Sequence, residues 1–235
     1  MYMAAYGDAA AAASEFALRQ PNYFAGLLTT SDVDEIVSAG DFVNGLSTFY
    51  NDEDKQLTFS EIVYPVWFAT ADGTISADTI NFFKNANRTV DNYTTDGATT
   101  YYAPDDSKFT ELEYEAVGGI RITDIDDAVN YDFSKEVWLN MFECIRRYPS
   151  FGEVRSYIPS DEDPLFERYD AMVDGYSRFW YVYEPESVQG ETDVPVMFVL
   201  HGNGGGPSEI TDQTGWKMLA DELGIILIAP QGSAS

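Results

Sequence analysis

Apolar positions recur along this chain at two spacings, and the spacing predicts which stretches are helix and which are strand. The opening GDAAAAASEFALRQP is rich in strong helix formers and is halted before Pro21. YFAGLLTTS is a short apolar run of strand length, and IVYPVWFATA is a second, rich in β-branched and aromatic residues. Between them, Asp32 to Glu61 is mixed and acidic and predicts a helix with loops. SADTINFFKNANR spaces Ile80, Phe83 and Ala86 at helical intervals behind the candidate caps Ser76 and Asp78. Residues 91–115 alternate Thr and Tyr with acidic side chains, as exposed strands or a hairpin do, and GGIRITDI is another short strand. YDFSKEVWLNMFECIRRY predicts one amphipathic helix with Phe133, Val137, Trp138, Met141, Phe142 and Ile145 on its buried side.

The pattern breaks at PSFGEVRSYIPSDEDP, where prolines and acidic residues gather, so a linker is placed over residues 149–170. It separates a first region, residues 1–148, from a second, residues 171–235. Beyond it, DGYSRFWYVYEPES alternates like a strand behind a turn at Asp174-Gly175. VPVMFVL is nearly continuous in apolar residues, as strands buried on both faces of a parallel sheet are. SEITDQTGWKMLADELG predicts a helix with Trp216, Leu219, Ala220 and Leu223 inward and Gly224 as its stop. GIILIAP is one more buried strand, which completes a βαβ unit and an α/β fold class.

Composition narrows the function. Of 235 residues, 45% are hydrophobic and 15% aromatic, enough for a sizeable core. Forty acidic against 13 basic side chains give a net charge of −27, a field that repels phosphates and argues against nucleic acid and anionic membranes as partners. No apolar run reaches the length of a membrane span, and no positive residue precedes the N-terminal apolar run as in a signal peptide. The acidic residues show no calcium-loop spacing, and no cofactor is called for. The single cysteine, Cys144, excludes an internal disulfide and reads as a buried structural thiol in its helix. Asn87-Arg88-Thr89 and Asn92-Tyr93-Thr94 match the glycan acceptor pattern, which is short enough to arise by chance. His201 is the only histidine.

The segment carrying chemistry is VMFVLHGNGGGPSE, Val196 to Glu209. Glycines at the C-terminal end of a parallel strand let the backbone turn and present N–H groups to an anion, a phosphate or the oxyanion of an acyl intermediate. No Lys-Ser/Thr follows the glycines and the spacing is not that of a dinucleotide loop, which removes the phosphate readings.

His201-Gly202 and the glycines after it resemble the HGGG-type oxyanion loop of esterases and lipases. The string DGYSRFWYVYEPES…VPVMFVLHGNGGG…W..LADELGIILIAPQG resembles the α/β-hydrolases related to polyhydroxybutyrate depolymerases and feruloyl esterases, over about 60 residues. The resemblance implies that N–H groups near Gly202, Asn203 and Gly204 form an oxyanion hole. It implies that His201 shapes the loop and does not remove a proton. The first region resembles the back half of a similar hydrolase in degenerate form. Aligned on AYGDA, Gly7 stands at the position of the nucleophilic serine, and Ala5 and Ala9 replace the flanking glycines, with Asp8 next. Asp72 falls near the acid position, and Asp126-Asp127 stand where a histidine is expected, Asp127 taking the base position. An exposed carboxylate is a poor base at neutral pH. Ser14, Ser31 and Ser60 do not lie in a strand–turn–helix elbow, so the chain by itself holds no Ser-His-acid triad.

What the resemblance implies is an α/β-hydrolase-type, mostly parallel sheet flanked by helices, its halves in permuted order, back half then front half. A window cut from two tandem domains and a circular permutant both give that order. The start within the elbow and the stop after QGSAS favour the fragment. The expected function is that of a carboxylic-ester hydrolase acting on a small-molecule or polymeric ester, this chain lacking nucleophile and catalytic histidine, with docking to another hydrolase domain. The alternative is a non-catalytic binding or scaffold module on a hydrolase fold, and a dipeptidyl-type peptidase ranks third. Charge and resemblance together imply an extracellular or secreted protein.

Overall fold

The structure, a computed structural model, describes residues 1–51, 53–108, 119–125, 130–147 and 154–232. The chain divides into two compact units, Met1–Tyr157 and Ile158–Ser235. That division falls inside the stretch read as a linker. The same stretch already contains ordered strand, for reasons given below.

In the first unit, strand β1 (Met3–Ala5) turns through Gly7 into helix α1 (Ala10–Leu18), and β2 (Leu27–Thr29) follows. Two short helices, α2 (Asp34–Val37) and α3 (Gly40–Val43), lead to an antiparallel pair, β3 (Leu46–Tyr50) with β4 (Gln56–Thr58). Then come β5 (Val66–Thr70), α4 (Ala77–Ala86), the hairpin β6 (Thr94–Asp96) and β7 (Thr99–Tyr102), and β8 (Ile120–Asp124). The central sheet has the order β1-β2-β5-β8-β7-β6, with β1, β2, β5 and β8 parallel and the last two antiparallel.

Why that sheet is buried on both faces is visible in VWFA of β5. Val66 and Phe68 pack with Leu27, Ile120, Leu18 and Phe83, while Trp67 and Ala69 pack with Leu28, Phe133, Val137 and Met141. Alternate side chains point to opposite faces, so a continuous apolar run fills two cores at once. Helices α1 and α4 contribute to the first core, α5 (Tyr131–Val137) to the second. Ser76 caps α4 by accepting the Thr79 N–H at 3.2 Å, and Asp32 in turn accepts from the Ser76 N–H at 2.7 Å.

The expected long helix over YDFSKEVWLNMFECIRRY is shorter than its periodicity. After α5 it opens into a wider π turn (Trp138–Phe142), and the chain then enters β9 (Ile145–Arg147), paired antiparallel with β10 (Val154–Ser156). Two expectations fail with it: Trp138 is 45% exposed, and Cys144 lies exposed with its thiol against the Leu139 carbonyl. Met141, Phe142 and Ile145 stay buried, and Trp138, the first residue of the π segment, faces outward. Asn87 also departs from its sequon. It is 1% exposed, and its amide group accepts from the Tyr64 N–H and donates to the Tyr64 carbonyl, so it is no glycan acceptor.

Glu61 ends a 3₁₀ turn (Phe59–Glu61) in a capping box with Thr58, and its carboxylate also takes Lys55 Nζ at 2.8 Å. The Lys55 bond and the Thr58 N–H hold the Glu61 carboxyl at about 2, below its ordinary 4.5. A carboxyl lowered on folding stabilises above its unfolded value, and that stability is lost as pH falls through the folded one. Glu61→Gln is therefore expected to cost up to about 1 kcal/mol at pH 7, solvent screening included. The gap in urea midpoint should narrow between pH 5 and pH 3. A gap that stays constant across that range overturns the assignment.

In the second unit, β11 (Phe166–Val173) and β12 (Tyr176–Tyr183) form a hairpin, followed by β13 (Val196–Phe198), α6 (Pro207–Thr214), α7 (Trp216–Leu223) and β14 (Ile226–Pro230). The order is β11-β12-β14-β13, with β13 and β14 parallel and β12 antiparallel to β14. Asp174 and Gly175, both at positive φ, make the tight turn the Asp-Gly pair predicts. Strand β11 starts at Phe166, inside the stretch read as linker, because pairing along the whole of β12 orders it.

The single helix expected over SEITDQTGWKMLADELG is two helices, broken at Gly215, which sits in the left-handed region at φ 71°. The break changes the helical phase. Lys217, Met218 and Ala220 are buried, whereas Leu219 and Leu223, expected inward, are exposed. One sheet face is covered by the core of Phe166, Tyr183, Val199, Leu227 and Ala229 with Ala220. The expectation that VPVMFVL is buried on both faces fails: β13 lies at the edge of the sheet, and Val196, Met197 and Phe198 are exposed.

Candidate functional site

The ladder between β13 and β14 continues one residue past β13, where the Val199 N–H donates to the Ile228 carbonyl at 2.9 Å. Beyond it the chain leaves the sheet at the C-terminal end of a parallel strand, the end at which α/β sheets hold ligands. Gly202 to Gly205 close a turn, with the Gly205 N–H on the Gly202 carbonyl at 3.2 Å and Gly204 at φ 80°. A positive φ at the third position of such a turn is the reason for a glycine there. Gly206 then precedes α6, whose first residue is Pro207.

His201 fastens this loop at two points. Its Nδ1–H donates to the Gly202 carbonyl at 2.8 Å, and its Nε2 accepts the Gly232 N–H at 2.9 Å. A carbonyl can only accept and an amide N–H can only donate, so the ring is held as the neutral Nδ1–H tautomer. Gly232 follows β14, so the imidazole ties the loop after one parallel strand to the end of its neighbour. Gly232 meets the ring closely: a Cβ there would stand 3.3 Å from Nε2. Both ring nitrogens are occupied, which leaves the imidazole no lone pair to take a proton from a substrate.

The loop lines a cavity of about 230 Å³ formed by His201, residues 202–206, Glu209, Ile210 and Gln213. Gly202, Asn203 and Gly204 are exposed. Among the described residues their N–H groups make no bond to a protein acceptor, unlike that of Gly205. Three adjacent donors without internal partners can stabilise an oxygen bearing negative charge. Glu209 and Gln213, a helical turn apart on α6, join through Gln213 Nε2 to Glu209 Oε1 at 3.0 Å. Sequence reasoning did not single out Glu209, Ile210, Gln213 or Gly232. The available signal was their place: two lie four apart just inside the helix that follows the glycines.

The structure places the first-unit positions differently. Gly7 lies between the end of β1 and the helical turn leading into α1, at φ 60°, with its N–H on Thr30 Oγ1 at 3.2 Å. That is a sharp strand-to-helix turn with a hydrogen atom in place of a side chain, and a Cβ there would meet nothing within 4 Å. Asp72 follows β5, at the same end of the sheet but with β2 between the two strands. Its Oδ1 accepts the Thr74 N–H at 3.0 Å within an exposed turn. Asp127 lies outside the described residues. The described structure thus brings His201, Gly202, Asn203 and Gly204 together, with the Glu209 carboxylate beside them and no serine, cysteine or second histidine among the lining residues.

Among the described residues no group of three or more His, Cys, Asp or Glu side chains could hold a metal, and no helix is long and apolar enough to cross a membrane. No family model matches the chain, and neither does a curated protein or a solved structure.

Proposed function

We propose that residues 171–235 work as the oxyanion-binding half of a serine carboxylic-ester hydrolase. The observation carrying this reading is the set of N–H groups at Gly202, Asn203 and Gly204, presented at the end of a parallel strand and fixed by His201. A pre-set group of donors stabilises the charge on the carbonyl oxygen as a nucleophile adds, and one such donor is worth about 10²–10³-fold in kcat. The serine, the acid and the proton-transferring histidine come from another segment of a longer polypeptide, since the sequence holds one histidine and both its nitrogens are engaged. Docking to another hydrolase domain is part of the same proposal. The substrate is a small-molecule or polymeric ester met outside the cell, where a strongly acidic surface keeps the protein dispersed.

Gly7 favours a second reading, a binding or scaffold module that has lost its chemistry. The turn suited to a nucleophile is retained there without a side chain. One experiment separates the two. The 235-residue chain should hydrolyse p-nitrophenyl acetate at the buffer rate. Expressed with whatever its gene encodes beyond Ser235, it should hydrolyse the ester with a burst of acyl-enzyme. A folded longer protein without turnover, or a gene that adds neither a serine elbow nor a second histidine, moves the assignment to the binding module.

A further inference from the structure

The cavity at the glycine loop contains one charged side chain, and it is negative. Glu209 lines it together with the amides of Asn203 and Gln213 and the apolar flank of Ile210; no Lys or Arg is among the lining residues. Glu209 stands in the first turn of α6, where a carboxylate often serves only to satisfy the helix. Glu209 is exposed, and its charge faces the helix dipole without a capping bond. The residue before the helix is Gly206, the end of α6 carries no side-chain cap, and the carboxylate accepts from a side chain, Gln213 Nε2, through Oε1. Its Oε2 makes no hydrogen bond among the described residues and reaches over Gly205, 3.5 Å from where a Cβ would stand. A methyl at Gly205 would stand in ordinary contact with this oxygen.

Two features then lie within one cavity. The Gly202 to Gly204 N–H groups suit an oxygen gaining negative charge, and next to Gly205 a carboxylate oxygen of the exposed Glu209 without a protein partner suits a positive hydrogen-bond donor. A second anion brought beside Glu209 would be repelled by it and by a chain of net charge −27.

We infer that Glu209 makes this cavity a site for an ammonium-bearing ligand, and that the ester it accepts carries a protonated amine on its acyl or alcohol part. The ammonium donates to Glu209 Oε2, Ile210 takes the alkyl chain, and the ester oxygen faces the loop. The substrate class rests on the oxyanion reading above, whereas the ammonium site itself does not.

The test uses three probes of one size, n-butylammonium, n-butanol and butyrate, titrated into the 235-residue chain in 0.15 M NaCl and followed by amide NMR. Butylammonium should give saturable shifts at residues 202–206 and 209–213, with butanol and butyrate giving none there. Glu209→Gln keeps the shape and the Gln213 neighbour while removing the charge, and should weaken butylammonium at least about tenfold. Two results overturn the inference. One is an unsaturable response spread over the acidic surface. The other is equal butylammonium binding by wild type and Glu209→Gln. Hydrolysis of p-nitrophenyl acetate by the longer protein without butylammonium binding here would remove this inference and leave the esterase reading standing. Binding without hydrolysis would do the reverse.

Discussion

Replacing Lys217 by Met is expected to unfold the second unit at urea concentrations that leave the first unit intact. Lys217 is a lysine on the buried side of α7, with its side chain 3% exposed and that of Asp163 7%. Its ammonium pairs with the Asp163 carboxylate, donates to the Ile158 carbonyl at 2.7 Å and faces the Tyr183 ring at 5.1 Å. Asp163 is committed elsewhere as well, since its Oδ1 accepts the Leu165 N–H at 2.9 Å where β11 begins. Methionine fills much of the same volume, so the loss is one of charge and donors. It leaves a buried carboxylate and a buried carbonyl without their cation, and breaking a buried pair on one side costs about 3–5 kcal/mol. That is a large part of what a unit of this size has to lose. The double variant Lys217→Met, Asp163→Leu removes the stranded charge and should recover a substantial part of the loss. The check is urea unfolding with hydrogen exchange at β12 and β14, which reports the second unit alone. A single variant within 1 kcal/mol of wild type would sink the assignment.

Lys217 also shows where sequence reading stops. A lysine between Trp216 and Met218 reads as a solvated position on an amphipathic helix. The left-handed Gly215 shifts the helical phase and turns it inward. Continuous apolar runs were more transparent. VWFA in β5 and the apolar residues around Leu27 and Leu28 read as strands and are strands, covered on both faces. VPVMFVL, read from the same kind of run as buried on both faces, instead forms the edge strand β13, where Val196, Met197 and Phe198 are exposed. Strand β3 went unseen because its alternation is inverted: Ser47 and Phe49 are buried while Leu46 and Tyr50 are exposed, and no polarity rule recovers that from LSTFY. The glycine loop was legible as a turn, because glycines after an apolar strand let the backbone reverse. What closes it, the imidazole bridge from His201 to Gly232, joins residues 31 positions apart and exists only once β13 and β14 lie side by side. The sequence holds one histidine, and in the fold both of its ring nitrogens are hydrogen-bonded.

The first unit has its own buried cation, and its substitution gives the second large effect. Arg147 in β9 is 8% exposed, and its guanidinium donates from Nε to the Phe24 carbonyl at 2.9 Å and from Nη2 to the Val63 carbonyl at 2.8 Å, between the rings of Tyr64 and Phe49. Burial pushes the guanidinium down to about 10, with Tyr64 opposing the shift, so it remains charged at neutral pH. The two carbonyls precede β2 and β5, and one planar fork therefore ties the entries of two neighbouring parallel strands to β9. Backbone carbonyls cannot be mutated away, so an apolar replacement leaves both desolvated and unpaired at about 1–3 kcal/mol each. Arg147→Met is expected to lose about 3 kcal/mol in the first unit, the relief of one buried charge offsetting part of the two lost bonds. Arg147→Lys separates charge from geometry. An ammonium keeps the positive charge but cannot span both carbonyls from one plane, and it carries a heavier desolvation cost in the same space. Lysine should therefore do no better than methionine, read as urea midpoints and as exchange protection of the β2 and β5 amides. Rescue by lysine to within about 0.5 kcal/mol of wild type would mean that the charge, and not the fork, holds the two strands.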